Sequence, residues 1–281
     1  MAIYAVCRAV ALEKPIMRTI RNLFVAVTVL CGIVATAVFA GSTTTSESVQ
    51  PNRTRVSVLL ELFTSEGCSS CPPADRLLES LDRQSPADAD VIVLSEHVDY
   101  WNYLGWSDPY SSAFFSGRQR KYADRLGATV YTPQLVVDGH IQTLGSDRLE
   151  VTEAISRSAQ MPKLPMSVRA TRSAAGGSIR VEANSGGKDA DLYIAIATDH
   201  ARSQVTRGEN GGHFLSHVAV ARAIVRVGKW DGTGLAGRDG SIMAKQYPAA
   251  FGGVTPGDIR VVAILQDPQS GRILGVAQTR L

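Results

Sequence analysis

Two cysteines separated by two residues, Cys68 and Cys71, lie at the seam between an apolar run and a helical pattern, and this seam constrains the fold more than any other feature of the chain. Upstream, Val56 to Phe63 is apolar apart from Ser57 and Glu61, the pattern of a strand buried on both faces. Downstream, Pro72 and Pro73 fall where the first turn of a helix tolerates missing N–H donors, and Leu77, Leu78 and Leu81 follow at helical spacing. The segment reads as strand, loop, helix, with the cysteines in the loop.

The alternation continues. Val91 to Leu94 reads as a second buried strand, Ser112 to Leu126 as a polar helix ending at Gly127, and Gln134 to Val137 as a third strand. Asp138-Gly139 is a hairpin turn leading into Ile141 to Leu144, and Ser146-Asp147 caps a last helix through about Ser158. The order is β-α-β-α-β-β-α. Pro162 and Pro165 then mark a change of regime. Beyond them the apolar segments alternate or are β-branched: Ser167 to Thr171, Ser178 to Ala183, Asp191 to Ala197, Val218 to Val227, Ile259 to Leu265 and Ile273 to Gln278. Glycine pairs separate several of them, so residues 163–281 are expected to form an antiparallel, sandwich-like β-domain after an α/β domain at 55–162.

The N-terminus decides which cysteines matter. Met17 to Arg21 is a short basic segment, Leu23 to Ala40 is apolar or small throughout, and Val38-Phe39-Ala40 before Gly41 suits a signal-peptidase cut. Residues 1–40 are expected to be a leader starting at Met17, with the uncleaved membrane anchor as the rival reading. Gly41 to Asn52 is a Ser/Thr-rich leash, so 41–54 is expected to be a linker. Cleavage would remove Cys7 and Cys31 and leave Cys68 and Cys71 as the sole thiols of an exported protein, periplasmic or secreted. It would also remove Arg8, Lys14, Arg18 and Arg21 against Glu13, so that the 29 basic and 26 acidic residues of the whole chain become 25 of each. A neutral protein offers no basic surface to nucleic acid or anionic membrane.

A Cys-x-x-Cys pair at a helix N-terminus has a chemical purpose. Free N–H groups of the first turn and the helix dipole stabilise a thiolate at the first cysteine. Cys68 is therefore expected to be exposed and nucleophilic, and Cys71 to be shielded and to resolve a mixed disulfide. The alternatives are a local staple and a Cu(I) site completed by His97. Structural zinc needs four ligands, and the sequence has no second cysteine pair beyond the leader.

This element order, with Cys68-Ser69-Ser70-Cys71 after the first strand and Thr132-Pro133 before the third, resembles the thioredoxin fold. The resemblance implies that Pro133 is cis, lies against the cysteine pair, and with Thr132 docks a substrate strand. Two departures stand out. Leu62 occupies the position, six before the first cysteine, where many thioredoxins place a buried acid, leaving Glu61 and Glu66 as candidate proton carriers. Gly67 stands where an aromatic residue usually precedes the first cysteine. The stretches LFTSEGCSSCPPAD, EHVDYWNYLGWSDPYS, RQRKYA, VYTPQLVVDG and RGENGG are together similar to the exported family known as domain of unknown function 1223, placed in the thioredoxin-like superfamily. That resemblance implies a fold but no activity.

The segment His97 to Tyr110 crowds Tyr100, Trp101, Tyr103, Trp106 and Tyr110 behind the second strand, although aromatic residues make up only 6% of the chain. Tyr100, Trp101 and Trp106 are the expected substrate wall, with a packed loop as the plain reading. Arg118, Gln119 and Tyr122 fall on a helix where solvated positions are the default. His213 and His217 begin a strand pattern, so their four-residue spacing need not bring them together. RGENGG, Arg207 to Gly212, reads as a tight turn that brings Arg207 or Glu209 to the cleft if it reaches the first domain. The expected function is thiol-disulfide exchange with protein thiols or disulfides, without a cofactor; the alternative is a binding module whose cysteines hold copper or a permanent disulfide.

Overall fold

The computed structural model describes residues 55–173, 176–183, 189–230 and 258–281; the expected leader and linker lie outside the described residues. The elements run β1 (Val56–Thr64), α1 (Pro72–Arg83), β2 (Ala89–His97), a short 3-10 turn (Asn102–Leu104), α2 (Ala113–Leu126), β3 (Gln134–Val137), β4 (Ile141–Leu144) and α3 (Arg148–Ala159). They continue as β5 (Met166–Ser173), β6 (Gly176–Ala183), β7 (Ala190–Gln204), β8 (Phe214–Trp230), β9 (Ile259–Gln266) and β10 (Ile273–Arg280).

Local chemistry sets the boundaries. The Ser112 side chain accepts from Phe114 N–H at the start of α2, which ends at Gly127 with a left-handed φ of 60°. Asp147 accepts from the N–H groups of Leu149 and Glu150 to start α3. The three-residue β3–β4 loop, Asp138 to His140, places Asp138 and Gly139 at φ 49° and 70°, the two positive-φ central positions of a turn closed by the His140 N–H donating to the Val137 carbonyl. A Cβ at Gly139 would collide with the Gly271 carbonyl, so the close approach as well as the turn demands glycine there.

The strands form one large sheet in the order β10-β9-β7-β8-β2-β1-β3-β4, with β5-β6 as a separate hairpin. β1 pairs parallel with β2 and antiparallel with β3. On one face Leu60, Leu62, Val91 and Val93 pack against Leu77 and Leu78 of α1 and Val151 and Ile155 of α3. On the other, Leu59, Ile92 and Leu94 pack with Phe115 of α2.

This architecture corrects the expected division into an α/β unit followed by a sandwich. The chain is mixed α/β with one mostly antiparallel sheet, because β7 to β10 extend the sheet of the first half. The junction is narrow: Ser95 of β2 pairs in parallel with Val220 of β8, and the Ser95 hydroxyl donates to the Val218 carbonyl at 2.8 Å. The physical reason is the free edge of β2. Beside β1 alone it would expose unpaired backbone groups, and β8 covers them. The β5-β6 hairpin supplies the second layer, laying Val168 and Ile179 on Ile194, Ile196 and Val261. Buried Arg260 of β9 ties the halves again by reaching Asp82 of α1 at 2.6 Å and also pairing with Asp199 of β7. No helix among the described residues is long and apolar enough to cross a membrane.

Candidate active site at the cysteine loop

Strand β1 ends at Thr64 and α1 begins at Pro72, so residues 65–71 form the loop over the C-terminal edge of β1. Cys68 and Cys71 are joined by a disulfide. The Cys68 N–H donates to the Ser65 carbonyl and the Cys71 N–H to the Cys68 carbonyl, each at 3.2 Å, which coils the loop tightly. Cys71 is the N-cap residue of α1, and its carbonyl accepts from Ala74 and Asp75. The Thr132-Pro133 peptide bond is cis, as the resemblance implied. The Thr132 hydroxyl lies 3.3 Å from Cys68 Sγ and accepts from the Trp101 indole N–H at 2.8 Å. The Ser70 hydroxyl lies 3.4 Å from the same sulfur and 3.4 Å from the Thr132 carbonyl.

Cys68 is not exposed as expected. It is 1% accessible and Cys71 0%, while Ser69 and Ser70 between them face solvent. The cover comes from the tip of the β7–β8 hairpin, the RGENGG segment, which does reach the cysteine loop. Asn210 is buried, and its side-chain amide donates to the carbonyls of Glu66 at 2.8 Å and Cys68 at 2.9 Å. Glu209 accepts the Ser69 N–H at 3.0 Å, and its hydrogen bonds from Ser69 hold its carboxyl below the usual range. Gly67 accounts for its own departure from the thioredoxin pattern: a Cβ there would stand 3.0 Å from the Trp101 Cβ, so a larger side chain would press on the Trp101 loop.

Behind the loop lies a buried group of charged and aromatic side chains. His97 Nδ1 is 2.7 Å from Asp108 Oδ2, and Asp108 also accepts the Glu66 N–H. Burial works to raise the Asp108 carboxyl, but the His97 ring and backbone donors from Glu66 and Tyr110 outweigh it and hold it below the usual range. His217 of β8 sits edge-on to His97 with ring centroids 4.6 Å apart, and its Nε2 is 3.2 Å from Glu66 Oε1. Burial depresses the His217 pKa, yet Asp75, one turn into α1, and then Glu66 push it up to about 10. His217 is thus a cation at neutral pH, shared by two carboxylates that flank the cysteines in sequence. His213 is exposed and separate, so the four-residue spacing makes no pair.

The aromatic segment divides its labour. Trp101 is at the cysteine loop through Thr132, Trp106 donates its indole N–H to Glu66 at 2.8 Å, and Tyr100 turns away to Gln119 at 3.1 Å. Tyr103 is the ring left in solvent, at 78% exposure. Of the two candidate acids, Glu66 adjoins the cysteines and Glu61 does not, because strand alternation puts Glu61 on the opposite face. There it binds Arg118 at 2.7 Å and Tyr122 at 2.6 Å. Arg118 and Tyr122, expected on a solvated helix face, are buried for this reason, and Gln119, expected there too, is buried because its amide donates to the Tyr131 carbonyl and to Gln134. Glu96 faces the same cluster; burial and then the Glu61 charge raise its carboxyl well above the usual range, against the pull of Arg118.

The copper alternative of Cys68, Cys71 and His97 is not assembled. The two sulfurs are bonded to each other, Asp108 holds the His97 ring, and no group of three or more His, Cys, Asp or Glu side chains among the described residues is arranged for a metal ion. Reading the sequence missed Asn210, Asp75 and Asp108. The one signal for Asp75 and Asp108 was the presence of histidines in apolar strands, which need buried partners. Asn210 gave no local signal.

The comparisons agree with this architecture. A crystal structure of a protein from Agrobacterium tumefaciens is similar, with 29% identity and a TM-score of 0.61, covering 81% of this chain and 94% of that one. HBP35 of Porphyromonas gingivalis shares the fold at 15% identity and a TM-score of 0.51, covering 81% of this chain and 76% of that one. None of the curated proteins matches the chain. The stretch that carries the cysteine loop, the aromatic segment, the cis proline and the β7–β8 tip lies within residues 59–262, which match the family model described as protein of unknown function (DUF1223), and the chain belongs to that family.

Proposed function

We propose that this chain is an exported thiol-disulfide oxidoreductase whose cysteine loop belongs to a thioredoxin-like half and whose β-rich half supplies the cover. The observation that carries the reading is the Thr132 hydroxyl 3.3 Å from Cys68 Sγ, which puts a hydrogen-bond donor on the sulfur that would attack. Thr132 and Pro133 then form the edge on which a substrate strand docks, with Trp101 beside it.

The exchange balances without a cofactor. In the reduced protein the Cys68 thiolate attacks one sulfur of a protein disulfide, forming a mixed disulfide and releasing the other sulfur as a thiolate that takes a proton from water. Cys71, deprotonated, attacks the Cys68 sulfur, breaks the mixed disulfide and restores the Cys68–Cys71 bond, releasing the second substrate sulfur to be protonated. The substrate gains two electrons and the enzyme loses two; the reverse sequence oxidises a substrate dithiol. Burial of Cys68 means that the Asn210 and Glu209 contacts separate before exchange.

The same burial favours a second reading, in which the disulfide is a permanent clasp between β1 and α1 and the β-rich half recognises a partner. One pair of measurements separates the two. The oxidoreductase reading expects a mixed disulfide between Cys68 and an exported protein in a Cys71→Ala variant, and a reduction potential above about −300 mV. A potential below that value with no trapped partner establishes the clasp.

A further inference from the structure

We infer that Trp101 is a positioning residue: its indole N–H fixes the Thr132 hydroxyl so that the hydroxyl proton points at Cys68 Sγ and stabilises the Cys68 thiolate. This rests on the exchange reading of the site, and it follows from counting donors. A thiolate at a helix N-terminus ordinarily draws on backbone N–H groups of the first turn. Around this loop they are spoken for except that of Ser70, which makes no hydrogen bond to the sulfur. Pro72 and Pro73 have none, the N–H groups of Ala74 and Asp75 bond to the Cys71 carbonyl, that of Cys71 bonds to the Cys68 carbonyl, and that of Cys68 bonds to the Ser65 carbonyl. The Ser69 N–H is taken by Glu209, whose negative charge also opposes a second anion nearby. The sequence expectation of free first-turn donors is therefore corrected, and the work falls to hydroxyls.

Two hydroxyls reach Cys68 Sγ, those of Ser70 and Thr132. The Ser70 proton has a competing acceptor at the same 3.4 Å, the Thr132 carbonyl. The Thr132 hydroxyl is more constrained, with the Tyr100 hydroxyl as its one other polar side-chain neighbour among the described residues. An indole N–H can only donate, so Thr132 Oγ1 must accept from Trp101, and its own proton is directed at the sulfur 3.3 Å away, with the Tyr100 hydroxyl, which donates to Gln119, as the competing acceptor. Trp101 is itself held against the loop at Gly67, whose missing side chain lets the tryptophan backbone approach. The aromatic that is absent before the first cysteine is thus replaced by one that arrives from the next loop.

The test is a pH titration of the thiolate ultraviolet absorbance of the reduced protein in a Cys71→Ser background, where Cys68 is the one titrating thiol among the described residues. Thr132→Val, which keeps the shape and removes the proton, is expected to leave roughly tenfold less thiolate at a pH below the midpoint, the loss of one hydrogen bond to a charged group. Trp101→Phe is expected to reduce it severalfold, and to have no further effect in the Thr132→Val background. Thr132→Ser, which keeps the hydroxyl, is expected to titrate like the parent and so separates loss of the bond from loss of folding. The charged and titratable side chains around the loop, Glu66, Asp75, Asp108, His97, His217, Glu209 and Tyr100, are unchanged in all four variants. The inference is overturned if Thr132→Val titrates like the parent, or if Trp101→Phe has the same effect with and without the Thr132 hydroxyl. Neither result depends on exchange activity. A protein that traps no partner but shows these shifts refutes the exchange reading and keeps the hydrogen-bond chain; the converse pattern does the opposite.

Discussion

Replacing Asn210 by Ala removes the buried amide that joins the β7–β8 tip to the cysteine loop, and the structure sets the size of the effect. The amide donates two hydrogen bonds, to the Glu66 and Cys68 carbonyls at 2.8 and 2.9 Å. At a net contribution of about 1 kcal/mol each, the closed state loses about 2 kcal/mol relative to an open one in which water satisfies both carbonyls. With about 1.4 kcal/mol per factor of ten, the open fraction rises roughly thirtyfold. Reduction of the Cys68–Cys71 disulfide by dithiothreitol reads this fraction directly, because a 1% accessible sulfur reacts from the open state and reclosing is fast beside reduction. The expected result is a reduction rate roughly ten- to thirtyfold above the parent. Opening of a hairpin tip exposes little surface, so the acceleration is also expected to persist unchanged in low urea. Glu209→Ala, which removes one exposed contact, is expected to change the rate by less than about threefold. An Asn210→Ala rate within about twofold of the parent, with urea stability unchanged, refutes the reasoning that this amide holds the cover closed.

Two further predictions concern the buried charges. His217 carries a pKa of about 10 in the folded chain against 6.5 as its ordinary value, so its stabilising contribution is complete below about pH 6.5 and is lost as pH rises toward 10. His217→Ala leaves Glu66 and Asp75 buried without their cation; urea denaturation at pH 6 is expected to show a loss of about 3 to 5 kcal/mol, and the fall in stability between pH 6.5 and 10 is expected to flatten. Glu96 acts with the same sign, the reverse of the usual case for a carboxyl. Its folded pKa is raised, so stability is complete below the ordinary carboxylate range and falls as pH rises above it. Glu96→Gln, a neutral isostere, is expected to be more stable than the parent at pH 7 and to lose that slope in the same denaturation series.

What was legible in the sequence was what short-range chemistry controls. The Pro72-Pro73 start of α1, the Ser112 and Asp147 caps and the Asp138-Gly139 turn each act within a few residues, and each element stands where its signals placed it. The Thr132-Pro133 pair was legible by resemblance, not by spacing. Arg118 and Tyr122 were misjudged because helix periodicity registers only the neighbours on the same helix. Glu61 in an apolar strand was the available warning, since a buried carboxylate demands a cation from another element. The strands of β7 to β10 were recognised individually, but their sheet partners were not, because backbone pairing at an edge depends on which edge is left open.

The sequence by itself determined the order of elements and confined the chemistry to Cys68 and Cys71, because hydrophobic period, capping and turn geometry are local. Tertiary structure decided the electrostatics and the access: it set Glu66, Asp75 and His217 together behind the cysteines, aimed Trp101 at Thr132, and laid Asn210 over Cys68. The bonds from Asn210 and Glu209 to the loop span about 140 residues of chain, and they form only because β8 pairs with the open edge of β2. That pairing satisfies backbone groups that are the same for any residue type, so no side-chain pattern in either segment announces it.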